Sequence, residues 1–318
     1  MPEHSLEPPD VRCLSSGGVQ EHGDDGARLA MMLGLDVTDV LDLSASLNPV
    51  APDVAALVAS LAPTVTRYPD ATEATAALAG AIGVPIDRIV LTNGGAEAIA
   101  LVAAVVGAGH VVDPDFALYR RHLPRVAADA GRWRSNPSSP FGRLADAADA
   151  AAVWDEAFYP LATGEWSRGD ADAWRLGSLT KLWACPGLRL GYAIAPTAEQ
   201  ADAVRARQPR WSVSTLAAEV VGPMLDMTDL PRWMLAIGEA RRALVAGLRD
   251  RGIDADDTDV NWVLVREPDL RRRLARHGVI VRDCSSFGLP GTFRMAVPHP
   301  NDLDRVLGAV DALAASRR

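Results

Sequence analysis

The chain of 318 residues is longer than one hydrophobic core usually organises, which predicts one large domain and a smaller one. Its 48% hydrophobic and 23% charged residues are those of an ordinary globular protein, and a net charge of -9 argues against a nucleic-acid or anionic-membrane partner. Three cysteines, Cys13, Cys185 and Cys284, are too scattered for a disulfide framework and no Cys/His pair has zinc-ligand spacing, so no metal is implied and a reducing cytoplasm is the default.

The N-terminus MPEHSLEPPD has no basic or apolar region and reads as neither a signal nor a transit peptide. RIVLTN from Arg88 predicts a strand, followed by a Gly94-Gly95 turn and a helix beginning at Ala96 or Glu97. The apolar run IALVAAVVGAG from Ile99 is well short of the roughly 20 residues of a membrane span and reads as a buried helix. HVVDPD and a helix from Ala117, then AVWDEAF, WRLGSL and RLGYAIA, continue the alternation and predict a mostly parallel α/β sheet. Helical patterns cover Ala198 to Arg207 and Ser214 to Arg251, the second interrupted at Pro223 and Pro231. The strand NWVLVR, the basic helix DLRRRLARHG and the strands VIVRD and FRMAV complete a smaller α+β domain. The expected division is 1–45 as an N-terminal part of the small domain, 46–210 as the large domain, and 211–318 as a linking helix and the small domain.

SLTKLWACPGLRLGY, residues 178 to 192, sets Lys181 among small and apolar residues, in a chain with very few lysines among its 32 Lys and Arg. Such an amine is easily desolvated and then serves as a nucleophile toward a carbonyl, in Schiff-base chemistry; the alternative is a lysine snorkelling from a helix start. Ser178, Thr180 and Arg189 offer two hydroxyls and a planar fork suited to a phosphate. In LTNGGAEAIALV the free N–H groups after Gly94-Gly95 would also face an anion, although the pattern lacks both the GxGxxG and the GxxxxGK[ST] spacing and could be only a turn. Asp155 ends the apolar strand of VWDEAFYP, where open α/β sheets bind ligands; a helix cap is the alternative.

Strand-Gly-Gly-helix, the aromatic of DPDFALY, NPSSPFG, DEAF, and SLTK with its following arginine occur in an order that resembles the fold-type I pyridoxal-phosphate enzymes, from about Asp42 onward. The resemblance is closest to the branch of histidinol-phosphate aminotransferases and threonine-phosphate decarboxylases. EHGDDGARLAMMLGL, LDLSASLNPVAP, TRYPD and VRDCSSFGLPGTFRMAV are most similar to the decarboxylases of the cobalamin pathway. It implies an α/β fold with a large, mostly parallel domain and pyridoxal 5'-phosphate as cofactor. Lys181 would carry the cofactor and shuttle protons, Asp155 would keep the pyridine nitrogen protonated, and Phe116 would stack on the ring. Gly95, Ala96 and Glu97 at the helix start, with Ser178, Thr180 and Arg189, would grip its phosphate. Tyr68 of RYPD would reach the phosphate of a neighbouring subunit, which implies a homodimer with shared active sites. Arg294 of FRMAV and Asn48 of LNP would bind the substrate carboxylate, and His22 and Arg282 the phosphate of an amino-acid substrate.

Three features depart from the family. Ser139 stands where relatives place an asparagine toward the cofactor's phenolic oxygen, the stretch from Tyr119 to Asp155 is compressed, and Pro298 replaces a frequent arginine. The readings left open are a decarboxylase of a phosphorylated amino acid, an aminotransferase of the histidinol-phosphate or aromatic type, and a shortened relative that acts as a binding partner.

Overall fold

A computed structural model describes residues 26–315, which form two compact units. The larger comprises Leu47–Glu239 and Thr258–Asn261; the smaller comprises 26–46, Ala240–Asp257 and 262–315.

The larger unit is built on seven strands: β1 (Ile89–Thr92), β2 (Ala108–Val111), β3 (Arg125–Val126), β4 (Arg132–Ser135), β5 (Val153–Asp155), β6 (Trp174–Gly177) and β7 (Gly191–Ile194). Their order is β1-β7-β6-β5-β4-β2-β3. All pairs from β6 to β3 are parallel, and β7 runs antiparallel to β1 and β6. Every residue of β1, β6 and β7 is buried, because a sheet covered on both faces requires continuous apolar runs in place of alternation. Helix α1 (Gly94–Val106) follows β1 directly, starting two residues before the expected Ala96, and ends at Gly107, whose left-handed backbone returns its N–H to the Ala103 carbonyl. Helix α2 (Ala117–His122) buries Tyr119.

The compressed stretch keeps both strands, β4 and β5, and dispenses with the helix: residues 136–152, all described, contain none. A parallel crossover usually carries a helix that covers the sheet. Here Arg168 holds the loop down, donating to the carbonyls of Asp146, Ala147 and Asp149 at 2.9, 3.0 and 2.7 Å. Its guanidinium lies 4.7 Å from the Trp154 ring centroid, and that of Arg134, which pairs with Asp149 at 2.7 Å, lies 5.7 Å from it. Asn136 Oδ1 accepts from Ala145 N–H at 2.9 Å and closes the loop.

Helix α3 (Leu179–Leu182) follows β6. The long helical pattern divides into α4 (Thr215–Asp226) and α5 (Leu230–Arg249), with the break at 227–229 and not at the prolines. Pro223 lies inside α4, and Pro231 sits in the first turn of α5, where its missing N–H has no partner to lose. Residues 211–239 belong to the larger unit, whereas the sequence put a boundary at 210. The reason is packing: Ala217, Val220, Val221 and Met224 of α4 share a core with Leu179, Trp183 and Tyr192.

The smaller unit carries an antiparallel sheet of β8 (Asp254–Asp256), β9 (Trp262–Arg266), β10 (Arg282–Asp283) and β11 (Thr292–Ala296), in the order β10-β11-β9-β8. Leu41–Asp42 pairs in parallel with Val279–Ile280, which brings the segment near the N-terminus into this unit. Leu43, Leu244, Val263, Val279, Phe293 and Val310 meet in its core. No described helix is long and apolar enough to cross a membrane.

Candidate active site

Lys181, the only lysine of the chain, lies in α3 immediately beyond the end of β6. Its N–H donates to the Ser178 carbonyl at 3.1 Å, and its carbonyl accepts from Asn48 N–H at 3.1 Å. The buried Asn48 side chain donates to the Leu182 carbonyl at 2.9 Å, so Asn48 clamps the short helix that carries the lysine. Lys181 is half-buried, its amine 5.9 Å from the centroid of the Phe158 ring.

Beside it, three backbone segments converge. Gly94 has φ +79°, and a Cβ there would stand 2.6 Å from Arg189 Nη2. A Cβ at Gly191 would fall 2.6 Å from Gly94 C and Gly95 N and 2.9 Å from Gly177 O. One at Gly95 would sit 3.7 Å from Ser178 Cβ. The start of α1, Ser178 and the Arg189 guanidinium therefore enclose one small cradle whose free N–H groups and fork suit an anion. Arg189 is itself in the left-handed region at φ 55°.

Two of the expected contributors use their side chains elsewhere. The Thr180 hydroxyl donates to the Leu190 carbonyl and accepts from Leu190 N–H, both at 3.1 Å, fixing the loop of Arg189. Glu97 Oε2 accepts from Asn93 N–H at 2.7 Å and from Gln208 Nε2 at 3.1 Å, capping the start of α1.

Asp155 ends β5. Its Oδ2 accepts from the Tyr119 hydroxyl at 2.7 Å and its Oδ1 from Ala157 N–H at 3.0 Å. Burial holds this carboxyl above the usual range, with the Tyr119 hydrogen bond opposing. Phe116 meets Tyr119 edge-on at 5.8 Å. Ser139 is buried, and its N–H donates to Ser135 Oγ at 2.7 Å. Asp115, Tyr119 and Ser135, which sequence reasoning passed over, form a second layer behind Asp155. The available signal was a carboxylate next to Phe116 and a phenol four residues after that carboxylate in DPDFALY, in a segment due to be buried.

The smaller unit holds Arg282 and Arg294, directly opposite one another in the β10–β11 register and both buried. Arg282 lies 4.6 Å from the Phe287 ring centroid and Arg294 4.8 Å from that of Trp262. Burial, and then the Arg282 charge, push the Arg294 guanidinium below its ordinary value, and its Nε has no partner among the described residues. Tyr68 is 80% exposed, its ring 4.8 Å from that of Trp211. His22 lies outside the described residues.

Comparison with known proteins gives a consistent result. The family model for aminotransferase class I and II matches residues 136–310. The threonine-phosphate decarboxylase of Salmonella typhimurium is 27% identical, over 91% of this chain and 95% of its own. The histidinol-phosphate aminotransferase 1 of Dechloromonas aromatica is 26% identical, over 95% and 96%. Among solved structures, the histidinol-phosphate aminotransferase of Sinorhizobium meliloti in complex with pyridoxal-5'-phosphate superimposes with a TM-score of 0.75 at 16% identity, covering 99% of this chain and 100% of its own.

Proposed function

Because the chain belongs to the aminotransferase class I and II family, we propose that it is a pyridoxal-phosphate-dependent enzyme that decarboxylates L-threonine O-3-phosphate in cobalamin biosynthesis. The Arg282 and Arg294 pair carries the choice of substrate: two buried guanidiniums in register, each over an aromatic ring. Side by side they repel, so they are best compensated by a ligand with two anionic groups, a phosphate and a carboxylate, each matched by a planar fork.

The cradle of the larger unit fits the cofactor phosphate, since Gly94 and Gly191 let the start of α1, the end of β6 and the Arg189 guanidinium approach closely, and the donors gathered there are N–H groups, a hydroxyl and a guanidinium. When bound, pyridoxal phosphate supplies an electron-withdrawing ring that accepts the electron pair released at Cα. Lys181 is the amine that holds the cofactor and afterwards moves a proton at Cα. Asp155 keeps a proton at the ring nitrogen, in surroundings whose low polarity strengthens that interaction. Phe116 and Ser139 contact the ring; Gly95, Ala96, Ser178 and Arg189 take its phosphate. Asn48 and Arg294 bind the substrate carboxylate, and Arg282 with His22 binds the substrate phosphate. Gripping both ends of the substrate fixes which Cα bond breaks. Exposed Tyr68 reaches the phosphate of the partner subunit in a homodimer.

The test supplies L-threonine O-3-phosphate with and without 2-oxoglutarate and follows CO2 and keto acid side by side. CO2 and an aminopropanol phosphate are expected, independent of 2-oxoglutarate. Amino-group transfer without CO2 overturns decarboxylation, and a protein that takes up no pyridoxal phosphate overturns the enzyme reading altogether.

A further inference from the structure

Behind Asp155 a chain of hydrogen bonds leads to a second buried carboxylate. Asp115 lies in the loop between β2 and α2, and its Oδ1 accepts from the Ser135 hydroxyl at 2.6 Å and from Phe116 N–H at 2.7 Å. Its Oδ2 accepts from Ser135 N–H at 3.2 Å. Ser135 stands opposite Asp155 in the β4–β5 register, and its oxygen accepts from Ser139 N–H at 2.7 Å. The Tyr119 hydroxyl is within reach of Ser135 and donates to Asp155 Oδ2 at 2.7 Å. The titratable groups facing Asp155 are thus Tyr119 from α2 and Asp115 from the preceding loop, while β4 presents Ser135 and β6 presents Leu176.

We propose that Asp115 is a positioning residue which, through Ser135 and Tyr119, sets how firmly the proton shared by Asp155 and the cofactor's ring nitrogen is held. This rests on the pyridoxal-phosphate reading above. The Ser135 hydroxyl has one proton to give. An ionised Asp115 takes it, so the Tyr119 oxygen receives no donor and its own proton goes to Asp155 unreinforced. Were Asp115 neutral, the Ser135 proton would turn to the Tyr119 oxygen, and the cooperative chain would strengthen the Tyr119 bond to Asp155 and lower the affinity of Asp155 for a proton. The like charge of Asp115 acts in the same direction, since two buried carboxylates raise each other's affinity for protons. The Asp115 oxygens accept from three donors, the arrangement of a carboxylate, while burial pushes its carboxyl up to about 6. An ionised Asp115 therefore keeps the proton on the Asp155 and ring-nitrogen pair, where it is needed for the ring to accept electrons.

The experiment loads wild type, D115N, D115S and D115E with pyridoxal phosphate carrying 15N in the ring and follows the nitrogen shift with pH. In D115N and D115S the midpoint of ring-nitrogen deprotonation should fall by roughly one pH unit, and D115E should restore it. A loaded, folded D115N with an unmoved midpoint overturns this inference alone. If neither neutral variant folds, Asp115 is structural and the inference is overturned as well. A wild type that shows no visible absorption after cofactor addition overturns the cofactor reading and this one together.

Discussion

Glu156 follows Asp155 directly but is 1% exposed, and its environment predicts a specific pH dependence of stability. Its Oε1 accepts from Arg168 N–H at 2.9 Å, whereas Oε2 has no partner among the described residues. Burial raises its pKa from the usual 4.5 to about 7, opposed by the Ser167 and Arg168 hydrogen bonds and the nearby Arg175 charge. The fold therefore binds this proton more tightly than the unfolded chain does. Its contribution is fully present below pH 4.5 and is lost as pH rises through about 7. A displacement of that size corresponds to about 3 kcal/mol, or roughly 5 °C in Tm for a chain of this length. Glu156→Gln keeps the size and the Oε1 acceptor without the titration. The variant and wild type should be similar in stability at pH 4.5, and the variant more stable by about 3 kcal/mol at pH 8. Urea unfolding of both proteins, followed by far-UV circular dichroism across that range, measures the difference, from which the similar contribution of Asp115 cancels. A difference that stays constant with pH would refute the reasoning.

Because Lys181 is the chain's only lysine, borohydride reduction of the cofactor-loaded protein should leave cofactor mass on the one peptide that contains it, and Lys181→Ala should lose the visible absorption band; label confined to the α-amino group would contradict the assignment. Asp155→Asn should retain the band yet lose roughly a hundredfold or more in kcat, and undiminished turnover would remove Asp155 from the mechanism. Arg168→Ala deletes three carbonyl contacts and the cover over Trp154, and should cost about 3 kcal/mol in urea unfolding; a loss below about 1 kcal/mol would mean that other contacts hold the loop. Mixing inactive Lys181→Ala and inactive Tyr68→Ala proteins should restore activity through hybrid dimers, and a fully active monomer would exclude shared sites.

Local pattern determined much of this protein in advance. Continuous apolar runs such as IVLT and GYAI can be satisfied only inside a covered sheet, and a Gly-Gly turn before a helix exposes N–H groups whatever surrounds it. The motif around Lys181 likewise drew attention to Ser178 and Arg189, which the fold brings beside Gly94 and Gly95. Other features depended on groups distant in the chain. Asp115 and Tyr119, Ser135, and Asp155 come from three segments, and only strand register and helix placement bring them within hydrogen-bond distance. Thr180 and Glu97 lie close in sequence to their backbone partners, Leu190 and Asn93, yet only the folded loop and the helix start turn their side chains onto those groups. Replacement of a helix by an arginine-held loop was equally hidden, because Arg168 and the carbonyls it binds are about twenty residues apart and meet only over the Trp154 ring. Sequence pattern is local and specifies elements; side-chain hydrogen bonds are satisfied by whatever the tertiary fold places nearby, and there the chemistry of the site was decided.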